Sequence, residues 1–315
     1  MQKMKVIFVA SGNQKIESIA PFVQVQMDSL AEQGVEISLY RVVGRGIKGY
    51  VTNTIRLRKI LKREQPDIVH AHYSICGYLA SIANLGLKSS VVVSLMGSDM
   101  VVKLPLIRFF AKKIWDMTIV KSREMYDRLN VAKARIIPNG VNIDKMCLLD
   151  RDNSRKKCGF EDTKQYVIWC SQIDREEKNY PLAQKAVDLL SDKNVVLLPV
   201  QDAPHHMMNV YMRAADVLLL TSKREGSPNV IKEAMACNLP IVSTNVGDVE
   251  WLLDHVEGAY ITQDDTPQNV CECLKKALTF IGNSTGRQRL IDIGLTTRSI
   301  ASDIINIYTD ICRTK

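Results

Sequence analysis

Short runs of apolar residues alternate along the chain with longer amphipathic stretches. Runs that are apolar throughout are typical of parallel strands covered by helices on both faces. The alternation predicts an α/β protein with doubly wound parallel sheets. Six strands are predicted in the first half and five in the second: Lys5–Ala10, Val35–Tyr40, Asp67–Ala71, Ser90–Leu95, Met117–Val120, Ala134–Ile137, Tyr166–Cys170, Val195–Val200, Val217–Leu220, Ile241–Ser243 and Ala259–Ile261.

The domain division is predicted from a break in this pattern. Between Asp144 and Asp162 the chain is polar and charged without a period, which is typical of a linker. Two Rossmann-like domains are therefore expected, at residues 1–150 and 160–315, facing each other across a cleft. A helical pattern over 287–311 predicts C-terminal helices, the last of which is a candidate to pack back on the first domain.

Composition agrees with two globular domains and excludes several other classes of protein. The 315 residues are 46% hydrophobic and 24% charged, which fits neither a disordered chain nor a small disulfide scaffold. No apolar run approaches the roughly 18 residues that a membrane span needs. The first apolar run is too short for a secretory signal, so the eight cysteines are expected to be reduced and the protein cytoplasmic.

Charge is unevenly distributed between the two halves. Residues 1–160 carry 26 Lys and Arg against 13 Asp and Glu, whereas the remainder carries 16 against 21. Basic residues cluster over 56–63 and again over 108–115, where aromatic and aliphatic residues are interleaved. Such a segment suits an anionic membrane surface, so peripheral attachment at the inner face of the membrane is one expectation, and an ordinary solvated helix is the other. No nucleic-acid-binding signature accompanies the charge.

The segment from Glu225 to Glu233 carries the clearest chemistry. It follows an apolar strand, so Gly226 to Asn229 are predicted to form a strand-to-helix turn, with Pro228 suited to the first helical turn. The N–H groups and partial positive charge of a helix start can bind a diphosphate. Glu225 would lie in the loop and Glu233 about two turns along the helix, so that the two carboxylates would contact different parts of one ligand.

This segment resembles the E-x7-E motif of the family 4 retaining glycosyltransferases, which have the GT-B fold. Within this family, the sequence of the segment is most similar to the teichuronic acid biosynthesis type of bacterial surface-polysaccharide transferase. Further matches follow in order along most of the chain: Ser11-Gly12-Asn13, Asp67 to His72, Gly97-Ser98-Asp99, Ile137 to Val141, Asp174 to Asn179 and Gly247 to Glu250.

The resemblance implies roles for individual residues. Glu233 would hold the ribose hydroxyls and Glu225 would contact the donor sugar. Arg175 and Lys178 would neutralise the pyrophosphate. The remaining donor-site residues would be Gly226, Ser227, Pro228, Asn229 and Val230, which supply a turn with backbone amides, together with Gly12 and Asn13. The resemblance also implies a metal-independent enzyme without a cofactor, whose substrate is the nucleotide-sugar.

On the first domain the chain departs from the family pattern at one position. Met96 stands where many members have a histidine associated with catalysis. Asp99 could substitute in part by contacting the transferred sugar or the acceptor, with Gly97 and Ser98 beside it, or it could merely cap a helix. His72 shares a strand face with His70, and it either contacts the acceptor or is a hydrogen-bonded structural residue.

The expected function is transfer of a sugar, with retention, from a nucleoside diphosphate-sugar to a hydroxyl of a glycan or lipid-linked glycan. UDP is favoured by family frequency, and the expected role is cell-surface polysaccharide synthesis. Three alternatives remain open. They are a nucleotide-sugar epimerase or phosphorylase on the same fold, a catalytically weak nucleotide-sugar-binding scaffold, and a basic polyanion-binding protein.

Overall fold

A computed structural model describes residues 3–13, 19–44, 46–100 and 104–314, apart from the side chain of His205. The chain forms two compact units, one of Met1–Gly140 with Thr297–Lys315 and one of Val141–Thr296. The chain thus divides at 140 and 296, whereas the sequence predicts domains over 1–150 and 160–315. Among the described residues, no helix is both long and apolar enough to cross a bilayer.

The first unit contains a six-stranded sheet in which every neighbouring pair is parallel, as predicted. The strand order is β2-β1-β3-β4-β5-β6, so the direction of winding reverses between β1 and β3. The strands are β1 (Lys5–Ser11), β2 (Glu36–Val42), β3 (Ile68–His72), β4 (Ser90–Ser94), β5 (Met117–Val120) and β6 (Ala134–Ile136).

Helices cover both faces of this sheet, as right-handed crossovers require. One face carries a core to which four helices contribute buried apolar residues. These are α2 (Gly46–Glu64), α3 (Ser74–Ala83), α4 (Leu104–Lys113) and α5 (Arg123–Leu129). On the other face α1 (Pro21–Glu32) packs against α13 (Thr297–Arg313), the last helix of the chain.

The second unit is a five-stranded parallel sheet of order β11-β10-β9-β7-β8, reversing between β7 and β9. Its strands are β7 (Gln165–Trp169), β8 (Val195–Pro199), β9 (Val217–Leu220), β10 (Ile241–Ser243) and β11 (Ala259–Ile261). Its helices are α6 (Arg151–Cys158), α7 (Tyr180–Asp188), α8 (His205–Ala214), α9 (Asn229–Ala236), α10 (Val249–Leu253), α11 (Pro267–Leu278) and α12 (Gly286–Asp292).

The predicted linker is wrong over its second half, because α6 belongs to the second unit. Asp150 caps this helix by accepting the N–H of Asn153. Arg155 is buried and donates to the carbonyl oxygens of Ala214, Glu161 and Lys164. This helix has few apolar residues, and the hydrogen bonds of the buried Arg155 attach it to the unit in place of an apolar face. The sequence therefore shows no hydrophobic period here.

The helical pattern predicted over 287–311 is divided into two helices. Two helices, α12 and α13, are separated by Gly294, whose φ of +70° is a conformation that ends a helix. The last of them lies in the first unit. Tyr308, fully buried on α13, places its hydroxyl 2.5 Å from Nδ1 of His70 on β3.

Candidate functional site

The candidate site of the second unit lies where the strand order reverses. The connections leaving β7 and β9 run to opposite sides, so their loops diverge and leave a crevice at the carboxyl ends of the strands. The loop after β7 contains Arg175 and Lys178, and the loop after β9 contains Glu225 to Pro228. Chain topology therefore brings together two motifs that are far apart in the sequence.

The loop after β7 is folded tightly against its neighbour. A short 3₁₀ helix, Glu176–Lys178, is followed by Asn179 in the left-handed conformation at φ +56°. The hydroxyl of Thr221, just after β9, donates to the carbonyl oxygens of Lys178 and Asn179 at 3.1 Å. Trp169 in turn donates to that hydroxyl from its indole N–H at 3.0 Å. The backbone around Lys178 is thereby fixed.

Lys178 and Glu225 form the central ion pair of the site. Nζ of Lys178 lies 2.5 Å from Oε1 of Glu225, and both side chains are largely buried, with 17% and 15% exposed. Ser222 donates a second hydrogen bond to the same carboxylate oxygen at 2.7 Å. A cation and an anion are thus both held at the carboxyl ends of β7 and β9, where the strand order reverses.

Arg175, the other predicted cation, is oriented differently. Its guanidinium contacts Glu177, at 2.8 Å from Nε and 2.5 Å from a terminal nitrogen, and its side chain is half exposed. The backbone amide of Glu177 and then Arg175 lower the pKa of this carboxyl group. The structure therefore brings Lys178 to the turn after β9, whereas Arg175 is held within its own loop.

The start of α9 supplies the amide groups that the sequence predicts. Pro228 occupies the N-cap position and makes no side-chain cap, so the helix begins without the internal hydrogen-bond acceptor that Ser, Thr or Asp would supply. First-turn N–H groups that lack such an acceptor bind anions well. Gly226, Ser227, Asn229 and Val230 are partly exposed here.

Glu233 lies on the same helix, on the side of β7. It is partly buried, and its negative charge is one of the causes, after burial, that raise the pKa of Cys170 at the end of that strand. Glu225 and Glu233 are thus located in the loop and in the helix respectively, as predicted.

Three residues around the turn were given no role by sequence reasoning, although Gly247 and Asp248 belong to a matched motif. Lys232 on α9 is fully buried and donates to the hydroxyl of Ser227 at 3.1 Å. Gly247 contacts the turn from the loop after β10, and Asp248 is buried beside it. The available signal was the position of Lys232 among the apolar residues Val230, Ile231 and Ala234 to Ala236. A lysine buried in such surroundings is rare without a charged or polar partner.

In the first unit the corresponding edge contains Gly12 and Asn13, after β1. The side-chain amide of Asn13 both donates to the carbonyl oxygen of Gly44 and accepts its N–H, each at 3.1 Å. A Cβ at Gly12 would lie 2.9 Å from Cγ2 of Val43. Both residues therefore pack this loop against the one after β2, and their predicted contact with the donor stays a prediction.

Asp99 is occupied in holding two loops together. Its carboxylate oxygens accept the N–H of Met96 at 3.1 Å and that of Ser74, at the start of α3, at 2.9 Å. Burial raises the pKa of Asp99, while these amides lower it. Beside it, Gly97 has a φ of +98° and Ser98 is exposed at the start of a short 3₁₀ helix, Ser98–Met100. Asp99 thus accepts amides from a preceding residue and from another loop, whereas a local N-cap would accept from residues two or three positions after it.

His70 and His72 point to the same face of the sheet, and their rings stack at 4.7 Å. His70 is hydrogen-bonded at both ring nitrogens, to Tyr308 and to Ser94. His72 is fully buried against Phe8 and Phe22, and neither of its ring nitrogens has a partner among the described residues. Burial lowers the pKa of His72 well below its usual value. A ring closed to solvent does not fit the predicted acceptor contact.

The described residues contain no group of three or more His, Cys, Asp or Glu side chains placed to hold a metal ion. Cys271 and Cys273 are both free thiols buried on α11.

Comparison with known families identifies this architecture. Residues 174–279 match the family model described as Glycosyl transferases group 1, and residues 20–137 match the one described as Glycosyl transferase 4-like. Together the two models cover more than half of the chain. The chain belongs to the family 4-like glycosyltransferases.

Curated relatives of this family 4-like glycosyltransferase are distant in sequence. A Bacillus subtilis protein named as the teichuronic acid biosynthesis glycosyltransferase TuaC is 23% identical over 235 residues, which cover 66% of this chain and 59% of that protein. The N-acetyl-alpha-D-glucosaminyl L-malate synthase of Bacillus anthracis is 24% identical over 66% of this chain and 64% of its own length. The match spans less than two thirds of each of these relatives.

Solved structures with the same fold include two glycosyltransferase-family neighbours of GT-B type. Sucrose-phosphate synthase from Thermosynechococcus elongatus superimposes with a TM-score of 0.80 at 15% identity, covering 99% of this chain and 100% of that one. Anabaena HepE in complex with UDP and glucose gives a TM-score of 0.73 at 15% identity, with 98% and 100% covered. The predicted GT-B fold class is thereby confirmed.

Proposed function

We propose that the protein transfers a sugar from a nucleoside diphosphate-sugar, with a UDP-sugar as donor, to a hydroxyl of a glycan or lipid-linked glycan. The observation that carries this proposal is the uncapped start of α9 (Asn229–Ala236) beside the Lys178–Glu225 ion pair. A helix start and an adjacent ammonium form a site for a dianionic diphosphate.

The donor is assigned to the second unit, residue by residue. The diphosphate binds the amides of the turn from Gly226 to Val230, and Lys178 approaches it from the neighbouring loop. Glu233 accepts hydrogen bonds from the ribose hydroxyls, and Glu225 contacts the transferred sugar. Because leaving-group charge develops on the diphosphate in the transition state, donors already fixed at that position lower the barrier to transfer.

Retention of configuration and use of UDP are parts of the same proposal. Retention follows from the family, and it requires the acceptor hydroxyl to attack from the face that the departing phosphate leaves. Support for UDP comes from similar structures, since Anabaena HepE is described in complex with UDP and with UDP-glucose. The name of the B. subtilis relative supports a role in surface polysaccharide synthesis.

The acceptor is assigned to the carboxyl edge of the sheet in the first unit. Ser98 is exposed there, and the bonds of Asp99 hold the loops after β3 and β4 in one arrangement. We assign Asp99 to positioning these loops, because backbone amides already occupy its carboxylate. Gly97 and Ser98 are the surface that an acceptor hydroxyl or the transferred sugar contacts.

An anionic bilayer is proposed as the surface on which a lipid-linked acceptor is met. On α2, Ile47, Val51 and Ile55 follow one another at a spacing of four residues and are all exposed, with Ile47 85% exposed. Such a row forms one stripe on a helix surface. Exposed basic residues flank it: Lys48, Arg56, Lys59 and Lys62. An apolar stripe with basic flanks fits the headgroup region of an anionic membrane.

The segment that the sequence favoured for this role contributes less. On α4 and the residues after it, Ile107 and Trp115 are fully buried, and Arg108 donates to the carbonyl oxygens of Leu129 and Arg128. Of the large apolar residues there, Leu106, Phe109 and Ile114 are exposed, beside the exposed Lys112 and Lys113. Co-sedimentation with phosphatidylglycerol vesicles and with neutral phosphatidylcholine vesicles tests the surface on α2. Ile47→Ser/Ile55→Ser should weaken binding to the anionic vesicles, and equal binding by the variant would refute this surface.

The donor assignment is tested by a thermal-shift screen against UDP-, GDP-, ADP- and dTDP-sugars, run in parallel on Glu233→Ala. A ligand that binds the native state raises the melting temperature by mass action. A shift for the UDP class that disappears in the variant is expected. Glu272→Ala, an exposed glutamate on α11 paired with Lys275, is the matched control and should keep the shift. A cooperative melt without any shift would contradict the proposal.

A catalytically weak nucleotide-sugar-binding protein is the second candidate, and Met96 favours it. A methionine side chain can neither transfer a proton nor stabilise charge, and the hydrogen bond of Met96 to Asp99 is made by its backbone N–H. This candidate predicts a clear thermal shift with UDP-sugars but no transfer to any hydroxyl acceptor, and no gain from Met96→His. Product formation by the unchanged protein would exclude it.

A further inference from the structure

A buried lysine lies directly behind the candidate diphosphate turn. Lys232 is fully buried in the first half of α9, and its ammonium donates to Oγ of Ser227 at 3.1 Å. This position is costly for a cation, because burial removes its hydration and the helix start is itself partly positive. Burial lowers the pKa of Lys232 to about 8, against the charges of Asp248 and Glu233, which raise it.

A buried carboxylate, that of Asp248, lies on the other side of the same turn. Asp248 stands at the N-cap of α10, the usual place of a capping aspartate, yet its side chain makes no cap. The residue is only 9% exposed, and the hydroxyl of Ser227 lies close enough to its carboxylate to affect its pKa. Burial raises the pKa of Asp248 to about 6, while Lys232 and then the Ser227 hydroxyl lower it. Helix capping therefore does not explain this aspartate.

The backbone shows that the two loops are in contact at this point. Gly247 has a φ of +61°, and a Cβ there would lie 2.6 Å from the carbonyl oxygen of Gly226 and 2.9 Å from that of Glu225. The backbone of the loop after β10 is thus packed directly against the backbone of the turn after β9. The hydroxyl of Ser227 lies between the two charges, since it accepts a hydrogen bond from Lys232 and affects the pKa of Asp248.

We propose that Lys232 and Asp248 form a buried charge pair, joined through the hydroxyl of Ser227, that holds the Gly226–Ser227 turn in its diphosphate-binding conformation. The two residues are positioning residues and do not touch the ligand. The inference rests on the proposed donor function, which it deepens by naming what shapes the diphosphate site.

Stability alone does not account for such a pair. Replacing buried ion pairs by apolar residues of similar size is often neutral or stabilising, because desolvation offsets the attraction. An apolar pair at these positions would therefore fold at least as well, but it could not direct the Ser227 hydroxyl. A structural role and a positioning role thus predict opposite results for a double apolar variant.

The pair should also make donor binding depend on pH. Both groups are charged between about pH 6, above which Asp248 is ionised, and about pH 8, above which Lys232 loses its proton. The other charged groups facing them are Glu225, paired with Lys178, and Glu233. A nucleotide-sugar diphosphate has no ionisation in this range, so UDP-glucose is the probe that isolates the protein's own groups.

The test compares Lys232→Met, Asp248→Leu and the double variant with Lys276→Met, an exposed lysine on α11, as matched control. UDP-glucose affinity is measured by calorimetry from pH 5 to 9, and thermal melting reports folding. We expect the double variant to melt at or above the temperature of the unchanged protein while binding UDP-glucose about tenfold more weakly, with a flat pH profile. The unchanged protein should bind best between pH 6 and 8.

Ser227→Ala is the second variant, because it removes the link without leaving either charge in an apolar site alone. It should reproduce the weaker binding and the flattened profile even if the charge variants fold poorly. Unchanged affinity and pH profile in Ser227→Ala, or full affinity in a folded double variant, would overturn the inference and leave the donor proposal intact. Failure of the unchanged protein to bind UDP-glucose at all would overturn both.

Discussion

Nζ of Lys178 and Oε1 of Glu225 lie 2.5 Å apart although 47 positions separate the residues along the chain. The contact joins the loops that leave β7 and β9, the two strands between which the winding reverses. Since both side chains are mostly shielded from solvent, the pair is less screened by salt than a surface ion pair. A diphosphate that binds here offers Lys178 a second anionic partner without leaving Glu225 unpaired, because Ser222 also donates to Glu225.

Lys178→Met should reduce turnover more than donor affinity. The ammonium is placed to meet charge that grows on the leaving phosphate, and loss of one such donor typically costs about a hundredfold in rate. Steady-state kinetics with the donor found in the thermal-shift screen separate kcat from KM. Lys223→Met is the matched control, because its ammonium pairs with the exposed Glu176 in the same pair of loops. Equal losses in both variants would argue against this role for Lys178.

Gly247→Ala should impair donor binding beyond its effect on folding. Its new Cβ would lie 2.6 Å from the carbonyl oxygen of Gly226, so that the turn after β9 must move. Gly159→Ala is the control, because φ there is +68° and a Cβ would meet nothing within 4 Å. Both variants carry the left-handed strain of roughly 1 kcal/mol, whereas only Gly247→Ala should lower UDP-glucose affinity. Calorimetry together with thermal melting distinguishes the two effects.

Tyr308→Phe should destabilise the first unit. The change removes the hydroxyl that lies 2.5 Å from Nδ1 of His70 and leaves that buried nitrogen unpaired, which costs about 1–3 kcal/mol. Tyr78→Phe is the control, since it also removes a buried tyrosine hydroxyl from this unit but leaves no histidine nitrogen unpaired, so that it should cost less. Urea unfolding followed by fluorescence measures both. A Tyr308 variant as stable as the Tyr78 variant would show that this contact does not anchor α13.

Arg155→Met should destabilise the second unit by about 3 kcal/mol or more, because a buried charge network is broken and several carbonyl oxygens lose their donor. Arg151→Met, one turn earlier on α6, is the control, because a smaller loss of stability is expected there. Its guanidinium is 44% exposed and pairs with Asp216 at 2.7 Å, so its loss should cost less than about 1 kcal/mol. Denaturant midpoints at low and high salt compare the two. If the variants lost the same stability, α6 would not be an integral part of the unit.

The elements of secondary structure followed from local pattern because each signal is contained in a few neighbouring residues. Every predicted strand is present, with ends displaced by at most about a residue or two. Continuous apolar runs identify strands buried on both faces whatever their neighbours are. Where the fold relied on something other than a hydrophobic period, local pattern failed. Arg155 holds α6 by hydrogen bonds to distant carbonyl groups, and Gly294 divides the last helical stretch.

For the candidate site, the sequence located the turn from Glu225 to Asn229 and the residues Lys178 and Glu233. It could not distinguish Lys178, which reaches Glu225, from Arg175, which is held by Glu177. Both are basic residues three positions apart in one loop, and only the folded backbone decides which side chain faces the neighbouring loop. The same holds for Asp99, whose amide partners come from two different loops.

The sequence by itself determined the parallel α/β class, the positions of the strands and the turn that precedes α9, because spacing of apolar residues and helix-start chemistry are local properties. Tertiary structure alone decided which loops meet, that α13 closes the first unit, and that Lys232 and Asp248 are buried behind the turn. These outcomes depend on strand order and on packing between residues far apart in the chain. That packing sets the free energies of burial and of charge pairing. It cannot be inferred from any short stretch of neighbouring residues.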